Sequence, residues 1–332
     1  MNTKKLKYLP LLALVVLVAC GNTGKTSDQP QEEETDIKAP EFNPDSAYAY
    51  VKAQCDFGPR TPNSTAHERC ADWLVQKFQQ FGATVIEQKD KVRAWDGELL
   101  QMRNIVASYN PDTRKRVLIC SHWDSRPWAD NDPDEKNHHT PIDGADDGAS
   151  GVGVMLEIAR QIQQQNTKIG IDLICFDLED YGNPQWYEGK HDENSWCLGS
   201  QYWSRTQHVE GYNARYGILL DMVGNANARF YREYFSQHLA GSVVSKVWKK
   251  AHNSGYGEFF PKKDGGAITD DHLPINNMAH IPCIDIIPDY PDCDQSSFGP
   301  VWHTLHDNIS NISPVALKAV GQVLMEVIYN EK

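Results

Sequence analysis

Five places where an apolar run gives out carry an acid or a histidine. LICSHWD ends in His122 and Asp124, and GADDGASG sets Asp146 and Asp147 just before an amphipathic stretch. LICFDLED ends in Glu179 and Asp180, ILLDMVG presents Asp221, and VWHTLHD presents His303. Taken singly, such an acid is more often a solvated loop group or a helix cap. Five strand ends in one chain argue for convergence, because a buried strand that ends in a carboxylate or imidazole sets that group at the mouth of a sheet. Convergent anions repel unless a cation holds them, so a metal is implied. Oxygen ligands plus imidazole suit zinc, and a catalytic zinc takes three protein ligands and leaves a position open for substrate. Adjacent Glu179 and Asp180 point apart in an extended or turning segment, so one can ligate while the other moves protons.

Those groups need strands to end where they stand. The pattern alternates: TVIEQ, NIVASY, RVLICSH, a helix over 149–164, IDLICFD, YGILLDM, a helix over 235–253, IPCIDIIP and a last helix over 313–330. An earlier helix ends near residue 81: Thr65 and Glu68 form a capping-box pattern, Cys70, Leu74, Phe78 and Phe81 its apolar face, and Gly82 its stop. Short continuous apolar runs between amphipathic helices describe strands covered on both faces. The fold class is therefore α/β, a three-layer sandwich around a mixed, mostly parallel twisted sheet, with the site at the carboxyl ends of the strands. Two long segments without apolar period, 126–143 and 181–197, are expected to be either functional or disordered.

Residues 1–19 read as an address: Lys4, Lys5 and Lys7 precede an apolar run that stops at Cys20. That run is shorter than the roughly 20 residues a membrane span needs. Leu17-Val18-Ala19-Cys20 matches a lipobox, so Cys20 is the expected lipidation site of an exported bacterial lipoprotein anchored by lipid alone. Residues 20–40 form a polar tether, and 41–332 a single catalytic domain. A formal net charge of −13 excludes nucleic acid as a partner. Of eight cysteines, Cys120 and Cys175 sit in strand-like runs as buried thiols, while pairing of Cys55 with Cys70 or of Cys283 with Cys293 stays open.

The order of motifs SHWDS, GADDGASG, FDLED, LLDMVG, TDDHLP and FGPVWHTLHDN resembles the zinc-dependent aminopeptidase superfamily. Within it, the chain looks like the animal-type glutaminyl cyclases, which turn N-terminal glutamine of peptides and proteins into pyroglutamate with release of ammonia. The resemblance implies one zinc per chain, held by Asp147, Asp180 and His303, with Glu179 as general acid/base. It implies that Asp221 and Asp270 share protons, and that Trp186, Phe298 and Trp302 wall the substrate pocket. His122 is then a strand-end residue near the metal, and His138 and His139 are solvated. The same superfamily holds two-zinc aminopeptidases, whose ligand set here is His122, Asp147, Asp180, Asp221 and His303, all present. The acid pair in Asp270-Asp271-His272-Leu273-Pro274 and the Trp302-His303 pair favour the cyclase. A lipid-anchored binding protein on the same fold is the third reading. Two departures stand out: Asp180 replaces the Glu of the animal enzymes, shortening a ligand arm, and Ser121 stands where they carry a Cys.

Overall fold

The computed structural model describes residues 38–332. Residues 1–37, with the expected leader, Cys20 and nearly all of the expected tether, lie outside the described part. The chain begins with α1 (Pro44–Cys55) and α2 (Thr65–Gln80), then β1 (Thr84–Arg93), β2 (Leu99–Tyr109) and β3 (Arg116–His122). Next come α3 (Ala149–Gln164), β4 (Gly170–Phe176), α4 (Leu198–Arg205), β5 (Gly217–Leu220) and α5 (Tyr234–Asn253). It closes with α6 (His272–Asn277), β6 (Cys283–Ile286) and α7 (Pro314–Tyr329).

One six-stranded sheet runs β1-β2-β4-β3-β5-β6. β1 and β2 are antiparallel to their neighbours, while the pairs β4·β3, β3·β5 and β5·β6 are parallel. Four strands therefore end on the same edge, which carries His122, the Asp177–Asp180 segment and Asp221. The two-residue period of a strand sorts the core: Ile119, Leu173, Ile218 and Ile284 face α1, α2, α3, α5 and α7. Leu118, Ile174, Leu219 and Cys283 face the other way, against Trp203 of α4 and Ile275 of α6. That is the three-layer arrangement the alternating pattern predicts.

The start of α2 is one residue earlier than the capping-box reading has it. Ser64 is the cap, in extended conformation, and its side chain accepts the His67 N–H; Thr65 is already helical and Glu68 is a first-turn acid. Both long segments are ordered: 126–143 buries Arg126, Asp130 and Asp132, and 181–197 buries Asn183 and Ser195. All seven cysteines in the described part are free, so neither Cys55–Cys70 nor Cys283–Cys293 is bridged. Among the described residues no helix is long and apolar enough to cross a membrane.

Candidate active site

The parallel strands deliver their groups to a cavity of about 260 Å³ lined by Asp147, Glu179, Asp180, Asp221, Asp270 and His303. A larger groove of about 670 Å³ lies beside α2, β1 and β2, but it is open and gathers no comparable set of ligating atoms. Glu179, Asp180 and Asp147 are held by partners that do not themselves line the cavity. Asp124 accepts the N–H groups of both Glu179 and Asp180 at 3.2 Å. Asp307 accepts those of Asp146 and Asp147 at 2.8 and 3.1 Å, and Asp146 accepts the Gly224 N–H at 2.7 Å just past Asp221. Gly148, at φ +97°, lets the chain turn from Asp147 into α3 where a Cβ would meet the Asp124 carbonyl at 2.6 Å.

Backbone strain gathers here. Leu178, Cys197, Met222 and His303, none of them glycine, have φ between +48° and +57°. Each sits on or next to a site residue. Such conformations cost of order 1–3 kcal/mol apiece and persist where the surroundings over-determine them.

Asp147, Asp180 and His303 present ligand atoms within 4.8 Å of one another. The shortened Asp180 arm still reaches, with Oδ1 3.2 Å from His303 Nε2. Its other oxygen is buried without any hydrogen-bond partner, as expected of an atom meant for a cation. Two carboxylates and an imidazole, all buried, fit a zinc ion with an open position. Asp147 also belongs to a second set with His122 and Asp221. His122 Nε2 is 3.0 Å from Asp147 Oδ1 and 3.2 Å from Asp221 Oδ1. Although burial opposes a charge on this ring, Asp124, Asp147 and Asp221 raise its pKa well above the usual imidazole range.

His303 Nδ1 faces Asp130 Oδ1 at 3.3 Å, and Arg126 donates to both Asp130 oxygens at 2.7 and 2.6 Å. This carboxylate-histidine pair fixes the ring so that Nε2 points at the cavity. Neither Asp130 nor Asp307 carries a strand-end signal, and the motif reading misses both. Burial pushes the Glu179 carboxyl well above the ordinary range, with Asp180, Asp270 and Asp271 adding to it against the pull of His122. Burial does the same to Asp270, reinforced by Asp221 and Asp271. Asp221 is raised too, chiefly by burial.

Trp302 stacks on His303 at 3.7 Å between ring centroids, and Phe298 lies 4.9 Å from Trp302. Both line the cavity; Trp186 does not. The 181–197 segment after Asp180 carries Trp186 outward, where it is 37% exposed and packs on His139 and Trp128. Trp196 takes the wall position, nearly parallel to His303 at 6.1 Å and with the Arg126 guanidinium 4.6 Å from its ring centre.

An α/β sheet whose parallel edge gathers carboxylates and histidines around a zinc-sized set of ligands defines a class, and the sequence model of Peptidase family M28 matches residues 104–328. The chain belongs to that family. A glutaminyl cyclase of Bacteroides thetaiotaomicron, solved bound to N-acetylhistamine, is 57% identical, with a TM-score of 0.87 over 89% of this chain and 100% of that one. A structure from the same organism described as a leucine aminopeptidase precursor is equally similar, at 57% identity and TM-score 0.86 over 89% and 100% of the two chains. Bovine glutaminyl-peptide cyclotransferase is 25% identical over 302 residues, 80% of this chain and 76% of its own. The chain spans from 32% to 76% of the length of the curated relatives it matches.

Proposed function

We propose that the protein is a zinc-dependent glutaminyl-peptide cyclotransferase. One observation carries the reading: Glu179 stands in an aromatic-walled cavity beside the Asp147, Asp180 and His303 ligand set, with Asp270 next to it. Likeness to a glutaminyl cyclase at 57% identity supports it.

In the reaction the α-amine of an N-terminal glutamine attacks its own γ-amide carbon, and ammonia leaves. The attack is intramolecular, so positioning supplies much of the rate. A zinc ion held by Asp147, Asp180 and His303 would supply Lewis-acid polarisation of the γ-carbonyl oxygen. Glu179 takes a proton from the attacking amine and returns it to the departing amide nitrogen, a task suited to a carboxyl whose pKa is raised towards neutrality. Asp270 and Asp221, both buried and raised, hold the shared proton close to Glu179. Trp302, Phe298 and Trp196 enclose the glutamine methylenes and exclude the water that would hydrolyse the amide instead.

The His122, Asp147 and Asp221 set favours a second reading, a two-zinc aminopeptidase. Against it stand the acid pair Asp270-Asp271 and the stacking of Trp302 on His303, which favour the one-zinc cyclase. One zinc per chain is therefore expected. Glu179→Gln should lower kcat by about 10²–10⁴-fold while zinc stays bound; retained turnover in that variant defeats the role given to Glu179.

The domain is further proposed to be exported and held to a membrane by lipid on Cys20, capping exported peptides and proteins that begin with glutamine. Incorporation of labelled palmitate that disappears in Cys20→Ala tests the anchor; equal labelling of both forms defeats it.

A further inference from the structure

Cyclisation leaves Cys197 without a task. It is 2% exposed, has φ +57°, and opens α4 at the end of the long 181–197 segment. Its Sγ donates to Glu179 Oε1 at 3.3 Å. Burial pushes the thiol well above its usual range, with Glu179, Asp271 and Asp270 adding to the shift, so it rests there as a neutral donor.

The sulfur, one Glu179 oxygen and one Asp270 oxygen lie within 4.8 Å of one another. This group shares no residue with either ligand set that contains Asp147. An independent sign of an unfilled demand is Asp270 Oδ2, on a side chain 3% exposed, which has no hydrogen-bond partner. Both side-chain oxygens of Asp271 and of Asp285 are buried without hydrogen-bond partners as well, Asp285 Oδ2 facing His272 Nδ1 at 3.9 Å. With a dication at Asp147, Asp180 and His303, the carboxyls of Glu179, Asp221, Asp270, Asp271 and Asp285 still outnumber the nearby imidazoles of His122 and His272. A thiolate with two carboxylates selects zinc or cadmium over magnesium or calcium.

We propose that Glu179, Cys197 and Asp270 form a second cation site for a thiophilic divalent ion, and that filling it arrests turnover. On binding, the Cys197 S–H bond breaks, its proton goes to solvent, and a sulfur-metal bond forms. The same ion binds a Glu179 oxygen and draws electron density from its carboxylate, which is then too weak a base to take the proton of the attacking amine. Excess zinc, as distinct from the ion held by Asp147, Asp180 and His303, is thus an inhibitor. The site itself stands on geometry; the arrest rests on the cyclase reading.

The test titrates zinc-loaded protein with cadmium chloride and follows the ultraviolet thiolate-to-cadmium absorption in wild type, Cys197→Ser and Cys197→Val. The absorption is expected in wild type and lost in both variants; equal absorption in all three overturns the site. Glu179→Gln keeps the thiol and guards against a misfolded Cys197 variant. Its cadmium midpoint should rise by more than about tenfold, the least that loss of even an outer-sphere partner costs a metal site, and an unchanged midpoint overturns the site. In parallel, turnover of a glutamine-initiated peptide is measured against buffered free zinc, each protein relative to its own uninhibited rate. Chelator-reversible inhibition that weakens by more than about tenfold in Cys197→Ser is expected. Cadmium absorption with full activity retained overturns the arrest; absence of any turnover at any zinc level defeats the cyclase reading and leaves the absorption to decide the site.

Discussion

Replacing Asp130 by Asn preserves the shape of the side chain and deletes the charge that faces His303 Nδ1 at 3.3 Å. Although burial works against the charge, Arg126 and then His303 hold the Asp130 carboxyl far below the usual range, so it is ionised wherever the protein is folded. A carboxylate in that position fixes the ring and makes Nε2 a better donor to a metal, and its loss costs 10–100-fold in metal affinity as a rough range. That corresponds to about 1.4–2.8 kcal/mol. A second effect has the same sign. Arg126 is buried, and once Asp130 is neutral its remaining anionic partner is Asp180, now 3.4 Å from Nη1. Drawing Arg126 towards that carboxylate competes for a proposed ligand oxygen. The assay is competition for zinc against a chromophoric chelator, with thermal unfolding of the zinc-free variant as the control for folding. Unchanged zinc affinity in a folded Asp130→Asn protein would refute the reasoning that His303 is a ligand oriented by Asp130.

Three further outcomes follow from particular contacts. Trp196→Ala should lower kcat/KM about tenfold, since it removes an aromatic wall and its contact with Arg126, worth together ~1–2 kcal/mol; Trp186→Ala, on the exposed rim, should change it less than about twofold. Steady-state kinetics on one peptide separates the two, and the reverse ranking would return Trp186 to the wall. Asp285→Asn should stabilise the fold by of order 1–3 kcal/mol at alkaline pH. Burial, then Asp270, Asp221 and Glu233, raise the Asp285 pKa, so its favourable contribution is present below the unfolded carboxyl value and is lost as pH rises through the folded value. The gain in Tm over wild type should therefore shrink towards acid pH, and a gain that grows on acidification contradicts the assignment. Removal of zinc by a chelator should abolish turnover and zinc alone should restore it; full activity after verified metal removal defeats the metal centre.

Most of the fold is legible because burial on both faces leaves a plain trace. RVLICSH becomes β3 residue for residue, and α3 occupies the 149–164 interval, thirteen of its residues being buried. The strands β1 and β2 run longer than TVIEQ and NIVASY because their extensions pair with each other as a partly exposed ribbon, where polar residues such as Lys89 and Arg103 are allowed. Short elements are harder. α1 has both start signals, Asn43 as cap and Pro44 at its first position, but only Ala47, Val51 and Gln54 are buried, so no apolar stripe announces it. α4 and α6 are 8 and 6 residues long, too short for a helical period to register.

Of the candidate site, His122, Glu179, Asp180 and Asp221 are readable because parallel strands carry them to one edge, whereas Asp147 just before α3 and His303 between β6 and α7 stand on connecting segments rather than strand ends and are marked by their motifs. The groups that hold them are not readable in this way. Asp130 acts through an ion pair with a ring nitrogen, and Asp124 and Asp307 through hydrogen bonds from backbone nitrogens, all of which adjoin the site only after folding. Asp285 sits inside the apolar run IPCIDIIP, and an acid there, fully buried in a strand, is the one signal that could have marked it in advance. Trp186 and Trp196 are both tryptophans of the same long loop, and only the path of that loop decides which of them turns inward.

The measurement that bears most directly on the account is incubation of purified residues 41–332 with a glutamine-initiated peptide, read by mass spectrometry and paired with elemental zinc analysis. Loss of one ammonia from the intact peptide with about one zinc per chain is the predicted result. Release of the free first amino acid with about two zincs would contradict it and make His122 and Asp221 metal ligands.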